Sequence, residues 1–300
     1  MGTRFELLLP AGEVPQPAAV AARVEREVSW WEARLSRFRE ESDLSRINRE
    51  GYDHPVAVDP RVFSLLEECA RWHATTHGLF DPAVLPLLRY HEVHSVPDAA
   101  AAAALARRHG WREVVLDAAA HSVALASPEA GLDAGAFGKG LALRVTRRLL
   151  REAGVAHALV SFGESSLLTL GHHPHGDHWP VSLPHLFEPL AQVYRFRLGD
   201  GALSVSGASR QRRPRGRKGY LHIIDPRSGM PVTGWKQTAV QHPNPLAAEV
   251  LSTAFLIAQN REEEESLLEN FPGTFVVKVE YLNEKPNIVT FGSPNRRDDG

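Results

Sequence analysis

Residues 132–140, LDAGAFGKG, set Asp133 and Lys139 at the ends of a segment that also holds Gly135, Gly138 and Gly140. Glycines let backbone N–H groups come close to an anion and tolerate positive φ, so a turn of this make-up leading into a helix can handle phosphate. A second group lies in LAAEVLSTAFLIA, where Glu249 and Thr253 are four residues apart. On a helix that spacing puts a carboxylate and a hydroxyl on one face, able to share a hard cation such as Mg²⁺. Their neighbours Ala247, Val250, Leu251 and Phe255 are apolar, and a carboxylate buried among them needs a partner. The third is HIIDPRSGMP, a strand carrying His222 followed by a turn through Asp225, Pro226 and Gly229. Imidazole titrates near neutral pH, so His222 suits a base or a phosphate contact. Each segment also has a plainer reading: a strand-to-helix connection, a solvated helix face, an ordinary strand and turn.

These residues need elements to hold them. Leu141, Val145 and Leu149 recur every four positions while Arg144, Arg147, Arg148 and Arg151 point elsewhere, which predicts an amphipathic helix ending at Gly154. The 132–140 turn therefore opens onto a helix N-terminus, whose dipole favours anions. Asn244 and Pro245 form an N-cap and first-turn pair for a helix running to Ala258. Helices are expected over 17–36 and 59–77, both packing on a sheet, with Cys69 in the core of the second. Asp98 caps an alanine-rich helix over 99–109, and REVVLD and SVALA read as two strands about a short turn. ALVSFGESSLLTLG, WPVSLP, VYRFRLG and ALSVSG read as strands. A short acidic helix near 261–270 and a hairpin through TFVVKVE complete the chain. Helices and strands are partly segregated, which favours an α+β fold.

Composition removes several classes of function. The 300 residues carry 34 basic and 36 acidic side chains, a net charge of −2, so no global field selects nucleic acid or a membrane surface. No apolar run approaches membrane-spanning length. The single cysteine forms no intramolecular disulfide. The start MGTRFELLLP has neither signal-peptide order nor a lipoprotein cysteine, and the expected location is the cytoplasm. The histidines at 172, 173, 175 and 178 have irregular metal spacing and read as an exposed hairpin loop rather than a zinc site. The basic cluster RQRRPRGRK, 210–218, reads as a solvated loop that could also attract phosphates or an acidic partner.

Taken in order, the segments resemble the FAD:protein FMN transferase family, the ApbE-type flavin transferases, over nearly the whole chain. MGTRFEL is similar to the family's opening strand, SRFREESDLSRIN to its serine-rich turn ending in Asn, and GLFDPAVLPL to its G-x-F-D-x-x-V-x-P-L element. LDAGAFGKG resembles the phosphate-side loop, VSFGESS the glycine strand and SVSG the T-S-G turn. HIIDPRSGMP resembles the best-known motif, and AAEVLSTAF the metal-binding A-D-A-L-x-T helix.

The resemblance implies a single α+β domain over 1–295, with mixed or antiparallel sheets, packed helices and a flavin cleft between two lobes. It implies an enzyme that binds FAD with Mg²⁺ and transfers FMN, with loss of AMP, to a Thr or Ser hydroxyl of a target flavoprotein. By position, Met1, Phe38, Leu79, Phe80, Asp81, Asp133, Lys139, Gly163, Ser206, Gly207 and Ile224 fall at flavin-contacting places. The carbonyl of Ala136 with Glu249, Ser252 and Thr253 falls at the metal place, and His222 at the motif histidine that would polarise the attacking hydroxyl. The chain departs from the pattern at Glu249, usually Asp, which lengthens that ligand by about 1.5 Å. It departs again at Gly163–Glu164, usually a glycine pair; at Ala208, where an acidic residue is common; and at Phe38, usually Tyr or Trp. Two alternatives share the site: hydrolysis of FAD to FMN and AMP, and flavin binding or assembly without catalysis.

Overall fold

The fold was obtained as a computed structural model, which describes residues 3–94, 96–188, 190–208 and 223–294. In chain order the elements are β1 (Phe5–Leu8), α1 (Pro17–Leu35), α2 (Asp43–Glu50), β2 (Val56–Ala57), α3 (Pro60–Thr75), α4 (Leu85–Val93) and α5 (Ala99–Arg108). There follow β3 (Val114–Asp117), β4 (Ser122–Leu125), α6 (Gly138–Glu152), β5 (Ala158–Phe162), β6 (Ser166–Leu170), β7 (Trp179–Pro184), β8 (Gln192–Leu198) and β9 (Gly201–Ala208). The last are β10 (Lys236–His242), α7 (Pro245–Ile257), α8 (Arg261–Asn270), β11 (Phe275–Leu282) and β12 (Lys285–Phe291).

The architecture is α+β. A seven-stranded sheet runs in the order β1-β5-β6-β9-β10-β11-β12, beside a three-stranded sheet β2-β4-β3 and a two-stranded ribbon β7-β8, and the pairings within them are antiparallel. Both faces of the large sheet are covered except at the exposed edge strand β12, so alternate side chains of the inner strands serve different cores. On β11, Val276 packs with Val240, Leu251 and Phe255 from the α7 side. Its neighbours Phe275, Val277 and Val279 pack with Trp179, Leu183, Phe196 and Leu198 of the ribbon. That two-sided burial explains why TFVVKVE is almost continuously apolar.

The helix ends follow their local chemistry. The Asn244 side chain accepts from the Leu246 amide at 3.0 Å, and Pro245 takes the first helical position. Asp98 and Asp59 cap α5 and α3 in the same way. α7 is buried along nearly its whole length because α6 lies on one side and β9 and β10 on the other.

Some elements differ from expectation. α1 packs chiefly on α6 and α2 rather than on a sheet. No strand leads directly into the LDAGAFGKG turn: β4 ends at Leu125 and the chain then runs without regular structure to α6. It is held there by side chains, since Asn48 accepts from the Leu132 amide at 2.7 Å and donates to the Leu132 carbonyl at 2.9 Å. The histidine-rich segment is not the loop of a hairpin; it carries the chain from β6 to the separate β7-β8 ribbon, with His172 against His157 and His173 edge-on to Trp179. α4 and β10 have too little apolar periodicity to be read in advance, whereas α2 is amphipathic but only eight residues long and lies in the segment read as a serine-rich turn. Among the described residues no helix is long and apolar enough to cross a membrane.

Candidate active site

Glu249 is the centre of the site. It sits one turn into α7 and is only 4% exposed, on the face that meets β6 and β9. Ser166 Oγ donates to its Oε2 at 2.5 Å and Ser204 Oγ at 3.1 Å. Its Oε1 is bound by the ammonium of Lys139. Ser252, one turn further on, donates to the Glu249 backbone carbonyl at 2.9 Å and meets Ser204 at 3.1 Å and Ser206 at 2.8 Å. Ser206 also meets Thr253 Oγ1 at 3.1 Å. The buried carboxylate is thus the head of a ladder of hydroxyls between α7 and the sheet.

The ladder follows from strand periodicity. Ser204 and Ser206 are two apart on β9 and point to the α7 side, while Leu203 and Val205 point to the ribbon side. Ser166 and Ser204 are direct partners in the β6–β9 pairing. Neither was singled out from the sequence, although the Ser-x-Ser alternation in ALSVSG was the available signal.

The LDAGAFGKG turn faces this cluster through Lys139. Its glycines are used differently from the expectation. None has positive φ. The Gly135 amide donates to the Asp133 carboxylate at 2.7 Å and the Gly138 amide to the Ala134 carbonyl at 2.8 Å, so neither is free for an anion. Gly140 is a packing glycine. A Cβ there would lie 2.7 Å from the Glu249 Cβ, 2.7 Å from the Pro245 carbonyl and 2.9 Å from the Leu246 Cα, so its absence lets α6 and α7 touch where Glu249 emerges. The ladder of α6 begins at the Phe137 carbonyl, which accepts from Leu141, and leaves the Ala136 carbonyl outside it.

The remaining candidates fall into three settings. Phe38 is 81% exposed, with the Arg37 guanidinium 4.4 Å from its ring centre. Arg37 is also salt-bridged to Asp133 and Glu92, both at 2.9 Å, so Phe38, Arg37 and Asp133 form one rim. Leu79 and Phe80 are 2% and 1% exposed and lie in the cores, Phe80 edge-on to Phe137. Asp81 is a tie rather than an open carboxylate, accepting from the Ala83 amide at 2.7 Å and the Trp111 amide at 3.0 Å. Burial pushes its carboxyl above the usual range, against the opposing pull of His73.

Ile224 is buried against Leu87 and Ala106 and bridges Pro231. The turn that follows is rigid. Asp225 is gripped by Arg227 at 3.0 Å to each carboxylate oxygen and by Gln259 at 3.1 Å, and His91 Nε2 lies 2.7 Å from the Gly229 carbonyl. Asp225 and Met230 line a cleft of about 680 Å³ at the C-terminal end of α7. Gly163 and Glu164 turn the chain between β5 and β6 at φ of 66° and 61°, with Glu164 exposed. Gly207 lies beside the Lys236 backbone on β9. Met1, His222 and the basic cluster 210–218 lie outside the described residues.

The donor set suits a hard cation. The groups that could hold one are the Glu249 carboxylate, the hydroxyl of half-buried Thr253 and the Ala136 carbonyl left outside the α6 ladder, all oxygen. The ammonium on Glu249 Oε1 marks that oxygen as open to a cation, whereas Oε2 is closed by two hydroxyls. Ser252 has its hydroxyl fully engaged, which fits it to orient Glu249 more than to bind a metal itself.

Comparison with known proteins gives a consistent picture. A protein of Klebsiella pneumoniae (strain 342) named FAD:protein FMN transferase is 32% identical over 219 residues, covering 71% of this chain and 67% of that protein. One of the same name from Chlamydia trachomatis is 30% identical over 195 residues, covering 64% of this chain and 59% of that relative's length. Among solved structures, the flavin transferase ApbE from Vibrio cholerae superposes with a TM-score of 0.80 at 21% identity, over 97% of this chain and 94% of that one. The ApbE protein from Thermotoga maritima gives 0.81 at 22%, over 96% and 93%. At those identities the superpositions establish the fold. The family model described as the ApbE family matches residues 1–277, and the chain therefore belongs to the ApbE family.

Proposed function

We propose that the protein is an FAD:protein FMN transferase. A Ser or Thr hydroxyl of a target flavoprotein attacks the FMN phosphorus of FAD, forming a phosphoester. The pyrophosphate P–O bond breaks and AMP leaves with the electron pair, while the hydroxyl proton passes to a base. The observation that carries this reading is the buried Glu249 carboxylate, set in a hydroxyl ladder and facing the N-terminus of α6 through Lys139. Phosphoryl transfer depends mainly on positioning and on charge stabilisation, and these are what such a cluster supplies.

In this reading Glu249 Oε1, Thr253 Oγ1 and the Ala136 carbonyl hold Mg²⁺, with Ser252 orienting the glutamate. The bound cation supplies Lewis-acid stabilisation of charge on the pyrophosphate oxygens. The first turn of α6 presents its dipole to the phosphates, Lys139 contributes a positive charge there, and exposed Phe38 offers a ring face for the isoalloxazine. His222 is assigned the proton of the attacking hydroxyl. The Ile224–Met230 turn is itself held by Arg227 and Gln259 on Asp225 and by His91 on the Gly229 carbonyl.

Incubation of the protein with FAD, Mg²⁺ and a Ser/Thr-containing acceptor peptide, followed by mass spectrometry, tests this. The expected outcome is a peptide heavier by FMN less one water, with one AMP per modified peptide. Free FMN with an unmodified peptide would assign the protein to FAD hydrolysis instead, and intact FAD would remove catalysis altogether. Glu249→Gln is expected to lower turnover by about 10²-fold or more, as removal of a charge-stabilising group at a phosphoryl centre does.

A further inference from the structure

Lys139 is the second residue of α6, a place where the helix dipole disfavours a cation. It is nonetheless drawn inward onto Glu249 Oε1, and the two side chains differ sharply in freedom. The carboxylate is 5% exposed and its Oε2 is fixed by hydroxyls on two strands, whereas the Lys139 side chain is 25% exposed and has a route to solvent. The helix backbone beneath Lys139 is locked by the close contact of Gly140 with Pro245, Leu246 and Glu249. The flexible lysine stem is therefore the part of the pair able to move. The oxygen it occupies is the one the proposed metal site needs.

We propose that Lys139 is a displaceable counter-ion. With no divalent cation bound it neutralises Glu249 and keeps the buried carboxylate compatible with its apolar surroundings. A divalent cation takes Oε1 in its place, and repulsion turns the ammonium outward to the mouth of α6, where it meets the phosphates of the substrate. Metal and lysine thus exclude one another at one oxygen. This inference rests on the reading of Glu249 as a metal ligand.

The experiment is calorimetric titration of the whole protein with Mn²⁺ alone, and separately with FAD alone, in wild type, Lys139→Met, Lys139→Gln and Glu249→Gln. The expected result has opposite signs. Removing the lysine charge strengthens Mn²⁺ binding by about tenfold, because a competing unit charge is gone, and weakens FAD binding. Lys139→Gln keeps a hydrogen-bond donor for Glu249 and serves if the methionine variant folds poorly. Thermal unfolding of each variant with and without Mn²⁺ gives the same comparison without activity. Unchanged or weaker Mn²⁺ binding in both lysine variants overturns the counter-ion proposal, and if Glu249→Gln still abolishes Mn²⁺ binding, the metal site itself survives. Mn²⁺ binding that is unaffected by Glu249→Gln overturns both.

Discussion

At the scale of single residues, the site is defined by a balance of charge and hydroxyls. Glu249 is tolerable in the core because each carboxylate oxygen has a partner, two serines on one and a lysine on the other. Glu164 is a contrasting case. It adopts φ of 61° with an exposed side chain, in a region that costs a non-glycine residue about 1–2 kcal/mol. Glycine's greater freedom in the unfolded chain returns about 0.5–1 kcal/mol of that. Glu164→Gly is therefore expected to stabilise the protein by about 0.5–1 kcal/mol in urea titration. A loss of stability would show that the glutamate side chain holds something in return for its strain. The sequence showed Glu249 and Thr253 as a pair because helical spacing places them on one face, and Ser252 joined them only through the family resemblance. It did not show Ser166 and Ser204, which reach Glu249 from strands 83 and 45 residues away.

At the scale of elements, the site exists because α6 and α7 touch. The contact is made at Gly140, whose missing side chain leaves room for the Glu249 Cβ and the Pro245 carbonyl. A methyl group there has nowhere to go, since two of its three nearest neighbours are backbone atoms. Gly140→Ala is expected to push the helices apart, destabilise the fold by about 1–3 kcal/mol and displace Glu249 from Ser166 and Ser204. Chemical denaturation and Mn²⁺ titration check the two parts separately; native stability with native metal affinity would show that the crossing adjusts without cost. The glycine pattern of LDAGAFGKG was legible as special, but its use was not. Sequence chemistry suggests amides free for an anion, whereas the structure uses Gly135 and Gly138 within the turn and Gly140 for packing.

At the scale of the whole molecule, the large sheet carries an α-helical layer on one face and the β7-β8 ribbon on the other, and the charged cluster lies on the helical side. The edge between β10 and α7 holds a pH-sensitive group. Burial pushes the His242 imidazole below its ordinary value of 6.5, and its Nδ1 accepts from the Asn244 amide at 2.9 Å. A folded-state value below the unfolded one means that the unfolded chain binds the proton more readily. Stability is then fully present above 6.5 and declines as pH falls below it. Asp43 and Asp81, raised by burial, tilt stability in the opposite sense as pH rises above 3.8. The difference between wild type and His242→Gln isolates the histidine. The difference in unfolding free energy between the two is expected to be constant above 6.5 and to shift against the wild type as pH falls below it; a difference that stays constant below 6.5 as well would remove His242 as the source.

The sequence by itself determined the α+β class, most helices and strands, the caps at Asp98 and Asn244, the order of the motifs and the helical face carrying Glu249 and Thr253. All of these rest on local periodicity and local hydrogen bonding, which the chain encodes within a few residues. Tertiary structure alone decided which serines close Glu249 Oε2, that Lys139 holds Oε1, that Asn48 pins the turn at Leu132 and that Asp81 ties the chain at Trp111. Those contacts join residues 30 to 110 positions apart, and nothing in local spacing selects them. They form because a buried polar group must find a partner wherever the fold brings one within reach.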